Sequence, residues 1–222
     1  MRPESVREAC EKSLRDWQMD YFDLYLIHWP FCFKSDPKTG STLYDEHGVA
    51  VTDESCRIED TWRAMQELVE AGLVKNIGVS NFSVSLLQRI LSMENLKIRP
   101  AVDQVELHPY LPQKELREFG SRNGIVIEAY SSLGSGKEPS LLEDDTVLQL
   151  AKELSISPSS LLLSWARQQN IPVIPKSCNP SRIADNFAHQ QLPQSVIDKL
   201  SSIGRSHRYI DPINFWKVPM PQ

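Results

Sequence analysis

The chain has no long apolar run, no glycine-rich nucleotide loop and no paired cysteines, and each absence removes a class of function. No stretch approaches the roughly 18 uninterrupted apolar residues that a helix needs to cross a bilayer. Residues 1–14 are charged rather than apolar, so neither a membrane partner nor a secretory signal is expected, and a cytoplasmic location is. The four cysteines, Cys10, Cys32, Cys56 and Cys178, form no CxxC pair and have no histidine at metal-ligand spacing. That pattern predicts free thiols in a reducing compartment and no metal site. Only nine glycines occur, none of them arranged as GxGxxG or GxxxxGK(S/T), so the Rossmann and P-loop routes to nucleotide binding are closed. With 24 Lys and Arg against 29 Asp and Glu, a net charge of −5 leaves no basic footprint for a nucleic-acid partner.

What is present suits a soluble α/β chain. At 222 residues and 41% hydrophobic, the sequence can bury a core, and a single domain over 1–222 is expected. Val6, Cys10, Leu14 and Trp17 recur at helical spacing, with Pro3 suited to a first turn, so a helix opens the chain. Five short runs rich in β-branched and aromatic residues read as buried strands: Phe22–Trp29, Lys75–Ser80, Ala101–Leu107, Ile125–Ser131 and Pro172–Lys176. Amphipathic helical stretches separate them: Ile58–Ala71, Val84–Ser92, Gln113–Arg122, Thr146–Leu154, Ser159–Gln168 and Ser181–Phe187. The alternation specifies a parallel sheet covered by helices, because parallel neighbours need crossovers. Pro30–Cys56 is a polar loop longer than compaction requires, and it follows the C-terminal end of a strand, where α/β barrels carry their sites.

Polar groups gather at these strand ends, which in a parallel fold line one surface. His28 can orient a carbonyl oxygen, and Ser80, Asn81 and Gln104 supply donors and acceptors for an amide. Tyr130 offers a ring face to a planar ligand, and Trp29 and Trp216 offer apolar walls. Core packing for the tyrosine and turn formation for Ser80 and Asn81 are the plainer alternatives. After the fifth run, Asn179 is a good N-cap and Pro180 suits the first helical position. Lys176 and Arg182 then add two cations beside a helix N-terminus, a cradle for phosphate or, equally, a capped helix with solvated charges. His47, His108, His189 and His207 form no comparable constellation.

Together these segments resemble the aldo-keto reductases, NADP-dependent carbonyl reductases on a (β/α)8 TIM barrel. The matching stretches are Asp20–Pro30, Gly72–Phe82, Gln104–Pro109 and Ile174–Ser177 with Arg182 to Asn186. The resemblance implies that His28 orients the substrate carbonyl and that Ser80, Asn81 and Gln104 hold the nicotinamide carboxamide under a stacked Tyr130. It implies Ser131, Leu133 and Ser135 along the pyrophosphate, with Gly136-Lys137 standing where the family often has an aspartate. Lys176, Ser177 and Arg182 would meet the 2′-phosphate and Asn186 the adenine, with Asp185 where glutamate is common. The loop 30–56 and the tail 204–222 would shape the pocket of a small carbonyl substrate, with His28, Trp29 and Trp216 touching it.

The family's proton donor is a tyrosine whose pKa is lowered by a lysine paired with an aspartate. No segment here matches those three, and none of Tyr21, Tyr25, Tyr44, Tyr110, Tyr130 or Tyr209 sits in that tyrosine's motif. The resemblance therefore implies an incomplete barrel carrying strands 4 to 8, with two unpaired edges that make the chain alone poorly stable. Losing general acid catalysis typically costs about 10²–10⁴ in rate. A non-catalytic NADP-binding or interaction protein, or an inactive fragment of a gene model, is the alternative.

Overall fold

Apolar spacing sets the first element of the structure, a computed structural model that describes residues 2–36, 38–188 and 190–219. Pro37 of the long loop, His189 and residues 220–222 of the tail lie outside the described residues. Helix α1 (Pro3–Trp17) buries Val6, Cys10 and Leu14 on one stripe, and Pro3 occupies its first turn. The order continues β1 (Phe22–Ile27), α2 (Ile58–Glu70), β2 (Val74–Ser80), α3 (Val84–Leu91), β3 (Val102–Glu106), α4 (Lys114–Asn123), β4 (Val126–Tyr130), α5 (Asp145–Glu153), α6 (Pro158–Gln168), α7 (Pro180–Phe187) and α8 (Gln194–Ser201). The chain divides into two compact units, the first made of Met1–Asp103, Ser121–Ile125 and Asp211–Gln222, the second of Gln104–Gly120 and Val126–Ile210.

In the first unit β1 and β2 pair in parallel, with Phe22 opposite Val74 and Ile27 opposite Val79. Gly78 permits the close approach of the next strand: a Cβ there would stand 2.5 Å from the Val102 carbonyl oxygen and 2.7 Å from a Leu26 methyl. Trp62, Met65 and Leu68 of α2, Ile77 of β2, and Leu87 and Ile90 of α3 are buried. The segment before β3 is fixed by two side chains of α2, since Trp62 Nε1 donates to the Ile98 carbonyl at 2.9 Å and Gln66 Oε1 accepts from the Lys97 and Ile98 amides. The long loop is more ordered than its polarity suggests: Phe33 bridges Thr52, Ser35 bridges Thr42 and Tyr44 bridges Ala50, all antiparallel.

In the second unit three of the α-helices that follow β4 have clear local causes. Asp144 caps α5 by accepting from the Thr146 and Val147 amides, Ser157 caps α6 through Ser160 N, and Asn179 caps α7 through Arg182 N. Helix α8 was not expected from the sequence. It has no side-chain cap, but Pro193 sets its entry and Val196, Ile197 and Leu200 are buried on one stripe.

The strands order as β1-β2-β3-β4 among the described residues, a four-stranded parallel sheet rather than five strands or a closed barrel. The expected fifth strand, Pro172–Lys176, reduces to one parallel bridge between Val173 and Ala129. Ala129 N donates to the Pro172 carbonyl at 2.8 Å, and Ile174 N reaches Ala129 O at 3.4 Å. Extending this ladder backwards needs an N–H at residue 172, which is proline. Extending it forwards needs residue 131 in strand conformation, and Ser131 has φ 54°. Both continuations are blocked.

Candidate active site

In the first unit the site grows from the ends of β1 and β2. His28 follows the last residue of β1 and is exposed, whereas Ser80 and Asn81 are 2% and 3% exposed. Asn81 adopts a left-handed φ of 65°, tolerated best by Asn among side-chain-bearing residues. In that position its Nδ2 donates to the His28 carbonyl at 2.9 Å and to Ser80 Oγ at 3.1 Å. The structure thus brings His28, Ser80 and Asn81 together. Behind them Asp103 is fully buried; its Oδ1 accepts from Phe82 N at 3.4 Å, and its Oδ2 has no partner among the described residues. Burial drives the Asp103 carboxyl well above the ordinary carboxylate range, against the weaker pull of that amide.

Trp29 and Trp216 also meet, edge to face with ring centroids 5.5 Å apart. Phe33 and Phe215 extend the cluster, at 4.8 and 4.7 Å from Trp216. The tail segment is tied to the loop by Ala50 N donating to Trp216 O at 3.0 Å and Lys217 Nζ donating to His47 O at 2.6 Å.

In the second unit Gln104 of β3 and Tyr130 of β4 lie on neighbouring strands, and Leu107 N donates to Tyr130 O at 3.3 Å. Gln104 Nε2 donates to Glu128 Oε2 at 2.6 Å. Glu128 lies two residues before Tyr130, so strand periodicity sets both on one face of β4. The turn after β4 holds Ser131 and Ser135 at φ 54° and 55°. Their hydroxyl oxygens meet at 2.6 Å, with Leu133 between them in the chain. Lys137, standing where a family aspartate is common, donates from Nζ to the Tyr209 carbonyl at 3.0 Å.

Below this turn Glu106 is buried and triply bonded: His108 Nε2 lies 2.9 Å from its Oε1, Tyr209 N donates to Oε1 at 2.6 Å and Ile210 N to Oε2 at 2.9 Å. Burial alone would raise the Glu106 carboxyl, but these bonds outweigh it and hold the group below its usual value. His108, which formed no constellation in the sequence, is therefore a buried partner of Glu106.

The expected phosphate cradle is exposed. Ser177 Oγ accepts from Asn179 N at 3.1 Å, and Asn179 Oδ1 accepts from Arg182 N at 3.3 Å, so Ser177 and Arg182 are held on one turn; Lys176 is exposed just before it. Asn186 lines a cleft of about 370 Å³ with Arg167, Pro172, Pro175, Ile183 and Phe187. Among the described residues no group of His, Cys, Asp or Glu is arranged to hold a metal ion, and no helix is long and apolar enough to cross a membrane.

Glu128, Asp103 and Glu106 are the residues that sequence reasoning left without a role. Glu128 had a signal, the two-residue spacing from Tyr130. The buried carboxylates had none, because strand alternation does not distinguish a buried acid with partners from an exposed one.

The profile of the aldo/keto reductase family matches residues 1–205. Aldose reductase B of Dictyostelium discoideum is 44% identical over 220 residues, covering 97% of this chain and 70% of that protein. An aldehyde reductase of Saccharomyces cerevisiae is 38% identical over 204 residues, covering 90% of this chain and 65% of that protein. Among solved structures, the aldose reductase of Giardia lamblia superposes with a TM-score of 0.90 at 40% identity, covering 98% of this chain and 74% of that one. The fold is therefore of the TIM-barrel type of these reductases, of which the described residues form a four-stranded parallel sheet. By profile, sequence and structure alike, this chain belongs to the aldo/keto reductase family.

Proposed function

We propose that the chain binds NADP(H) and serves hydride transfer between that cofactor and a small aldehyde or ketone, with the alcohol as the reduced product. The observation that carries this reading is the Asn81 side chain, which ties the backbone of His28 to Ser80 in one hydrogen-bonded group. A residue that would orient the carbonyl is thereby fixed to two that would hold the nicotinamide carboxamide.

The residues present suit the cofactor. Gln104 Nε2 donates to Glu128 Oε2, which ties its amide to the neighbouring strand, and that amide has the donor and acceptor chemistry of a carboxamide partner. Tyr130 offers its ring for stacking on the nicotinamide. Ser131, Leu133 and Ser135 would follow the pyrophosphate along a turn whose two left-handed serines redirect the backbone. Lys176, Ser177 and Arg182 would take the 2′-phosphate, a trio of donors favouring NADP over NAD. Asn186 and the apolar wall of its cleft would take the adenine. Bound NADPH supplies the hydride; the His28 imidazole, exposed at its strand end, would orient the substrate oxygen. Trp29 and Trp216, with the loop 30–56 and the tail 204–222, would form the pocket walls.

One observation favours the second reading, an NADP-binding chain without turnover of its own. A general acid works best with a pKa near the operating pH. Burial and Asp144 push Tyr110 up to about 12, burial and Glu106 push Tyr209 up to about 12, and burial raises Tyr25. None of these three phenols is tuned to donate a proton. Fluorescence titration with NADPH separates a binder from a chain with no cofactor site, and carbonyl-dependent NADPH oxidation by the same sample separates an enzyme from a binder.

A further inference from the structure

Two of the four cysteines stand at the two ends of one loop. Cys32 lies shortly after β1, and Cys56 stands just before Arg57, the N-cap of α2. Between them the chain returns on itself. Lys34 N donates to Val51 O at 2.8 Å, Asp53 N to Cys32 O at 2.7 Å and Cys56 N to Asp53 O at 3.2 Å. These bonds bring both thiols to one small cavity of about 30 Å³, which Trp29, Phe31 and Ile58 also line. That volume holds a water-sized molecule.

Both cysteines are half-buried and reduced. Burial first, and then a hydrogen bond to Cys56, push the Cys32 thiol up to about 12. Cys32 therefore keeps its proton beside Cys56. Cys10, by contrast, is sealed in the α1 core, and Cys178 is exposed.

We propose that Cys32 and Cys56 form a reactive dithiol that hydrogen peroxide closes to a disulfide, fastening the two ends of the loop. The Cys56 thiolate attacks one peroxide oxygen, the O–O bond breaks, and hydroxide leaves with a proton as water; Cys56 becomes a sulfenic acid. The Cys32 sulfur then displaces the sulfenic hydroxyl, which departs with the Cys32 proton as a second water. Two thiols and one peroxide give one disulfide and two waters, the sulfurs together losing the two electrons that the peroxide gains. The backbone around the pair is already bonded across the loop, through Asp53 N to Cys32 O and Cys56 N to Asp53 O. Trp29 lines the same cavity and meets Trp216, so the bond would form directly behind the aromatic cluster at the loop base.

The full chain, reduced and then freed of reductant, is treated with one equivalent of hydrogen peroxide. Remaining thiols are alkylated, and peptides are mapped without reduction. The expected main product is a Cys32–Cys56 linked peptide with Cys10 and Cys178 alkylated; a protease nick within 33–55 then releases no fragment until reductant is added. In urea the linkage falls into a mixture of pairings. Equal alkylation of all the cysteines, over-oxidation of Cys56 with Cys32 still alkylated, or a linkage no more abundant than in urea overturns the proposal. In C32S the sulfenic acid on Cys56 has no resolving thiol and is trapped by a 1,3-dione; a Cys56 that gives no adduct there removes it as the attacking thiol.

Discussion

Gln104 Nε2 donates to Glu128 Oε2 across two neighbouring strands at 2.6 Å, a charge-assisted bond that ties the Gln104 amide to β4. Removing the carboxylate in Glu128→Ala takes this tie away, and losing a charge-assisted bond of about 1.5 kcal/mol corresponds to roughly tenfold weaker NADPH binding. Glu128→Gln keeps an acceptor and is expected to bind within about threefold of the parent. Isothermal titration of both variants checks this. Equal affinity in Glu128→Ala and the parent would show that the pair does not position Gln104.

Glu106 anchors the backbone of Tyr209 and Ile210 from more than a hundred residues away in sequence. Glu106→Ala leaves two amides and the His108 ring without their acceptor in a buried site, a loss expected to cost about 3–5 kcal/mol of stability. Its native pKa is lowered, so the stability this carboxylate contributes is present above its ordinary range near pH 4 and is lost as pH falls through the lower native value. Denaturant melts of parent and variant should therefore differ at pH 7 and converge in strong acid. A gap of constant size across that range contradicts the assignment.

Asp103 has the opposite sign. Its native pKa is raised by burial, so its contribution is fully present below pH about 4 and declines as pH rises through the native value, by up to about 1.4 kcal/mol per pH unit in that window. Asp103→Asn keeps the acceptor for Phe82 N without the titrating proton. Thermal melts are expected to show the variant gaining on the parent from pH 5 to pH 8. A stability difference independent of pH would mean that Asp103 does not titrate anomalously.

Lys176 and Arg182 are exposed beside the turn capped by Asn179. If they receive the 2′-phosphate, removing either cation should weaken NADPH by about tenfold while leaving NADH, which lacks that group, nearly unchanged. Competition titrations of Lys176→Ala and Arg182→Ala with the two cofactors read this directly. Parallel losses for both cofactors would place the cations elsewhere in the interaction.

Much of this architecture is legible in the residues, for physical reasons that vary by element. The α1 stripe of Val6, Cys10 and Leu14 and the capped starts of α5, α6 and α7 are local signals, and each helix forms where its pattern puts it. The run Pro172–Lys176 has the composition of a strand, yet its ladder fails because Pro172 lacks an N–H and Ser131 turns away, and the second condition belongs to a distant residue. Helix α8 lacked a side-chain cap to announce it. In the candidate site, His28, Ser80 and Asn81 were readable as strand-end residues, but the Asn81 bond to the His28 carbonyl depends on strand pairing and a left-handed φ that the sequence does not display. Glu106, Asp103 and Glu128 acquire their character from burial and from partners across the chain.

The proposed NADP(H) site stands or falls on fluorescence titration of the purified chain with NADPH. Saturable quenching of protein emission by NADPH is expected, stronger than with NADH and lost in an Asn81→Ala, Gln104→Ala double variant that remains folded by circular dichroism. Absence of saturable binding by the folded parent, or binding indifferent to that double substitution, would contradict it.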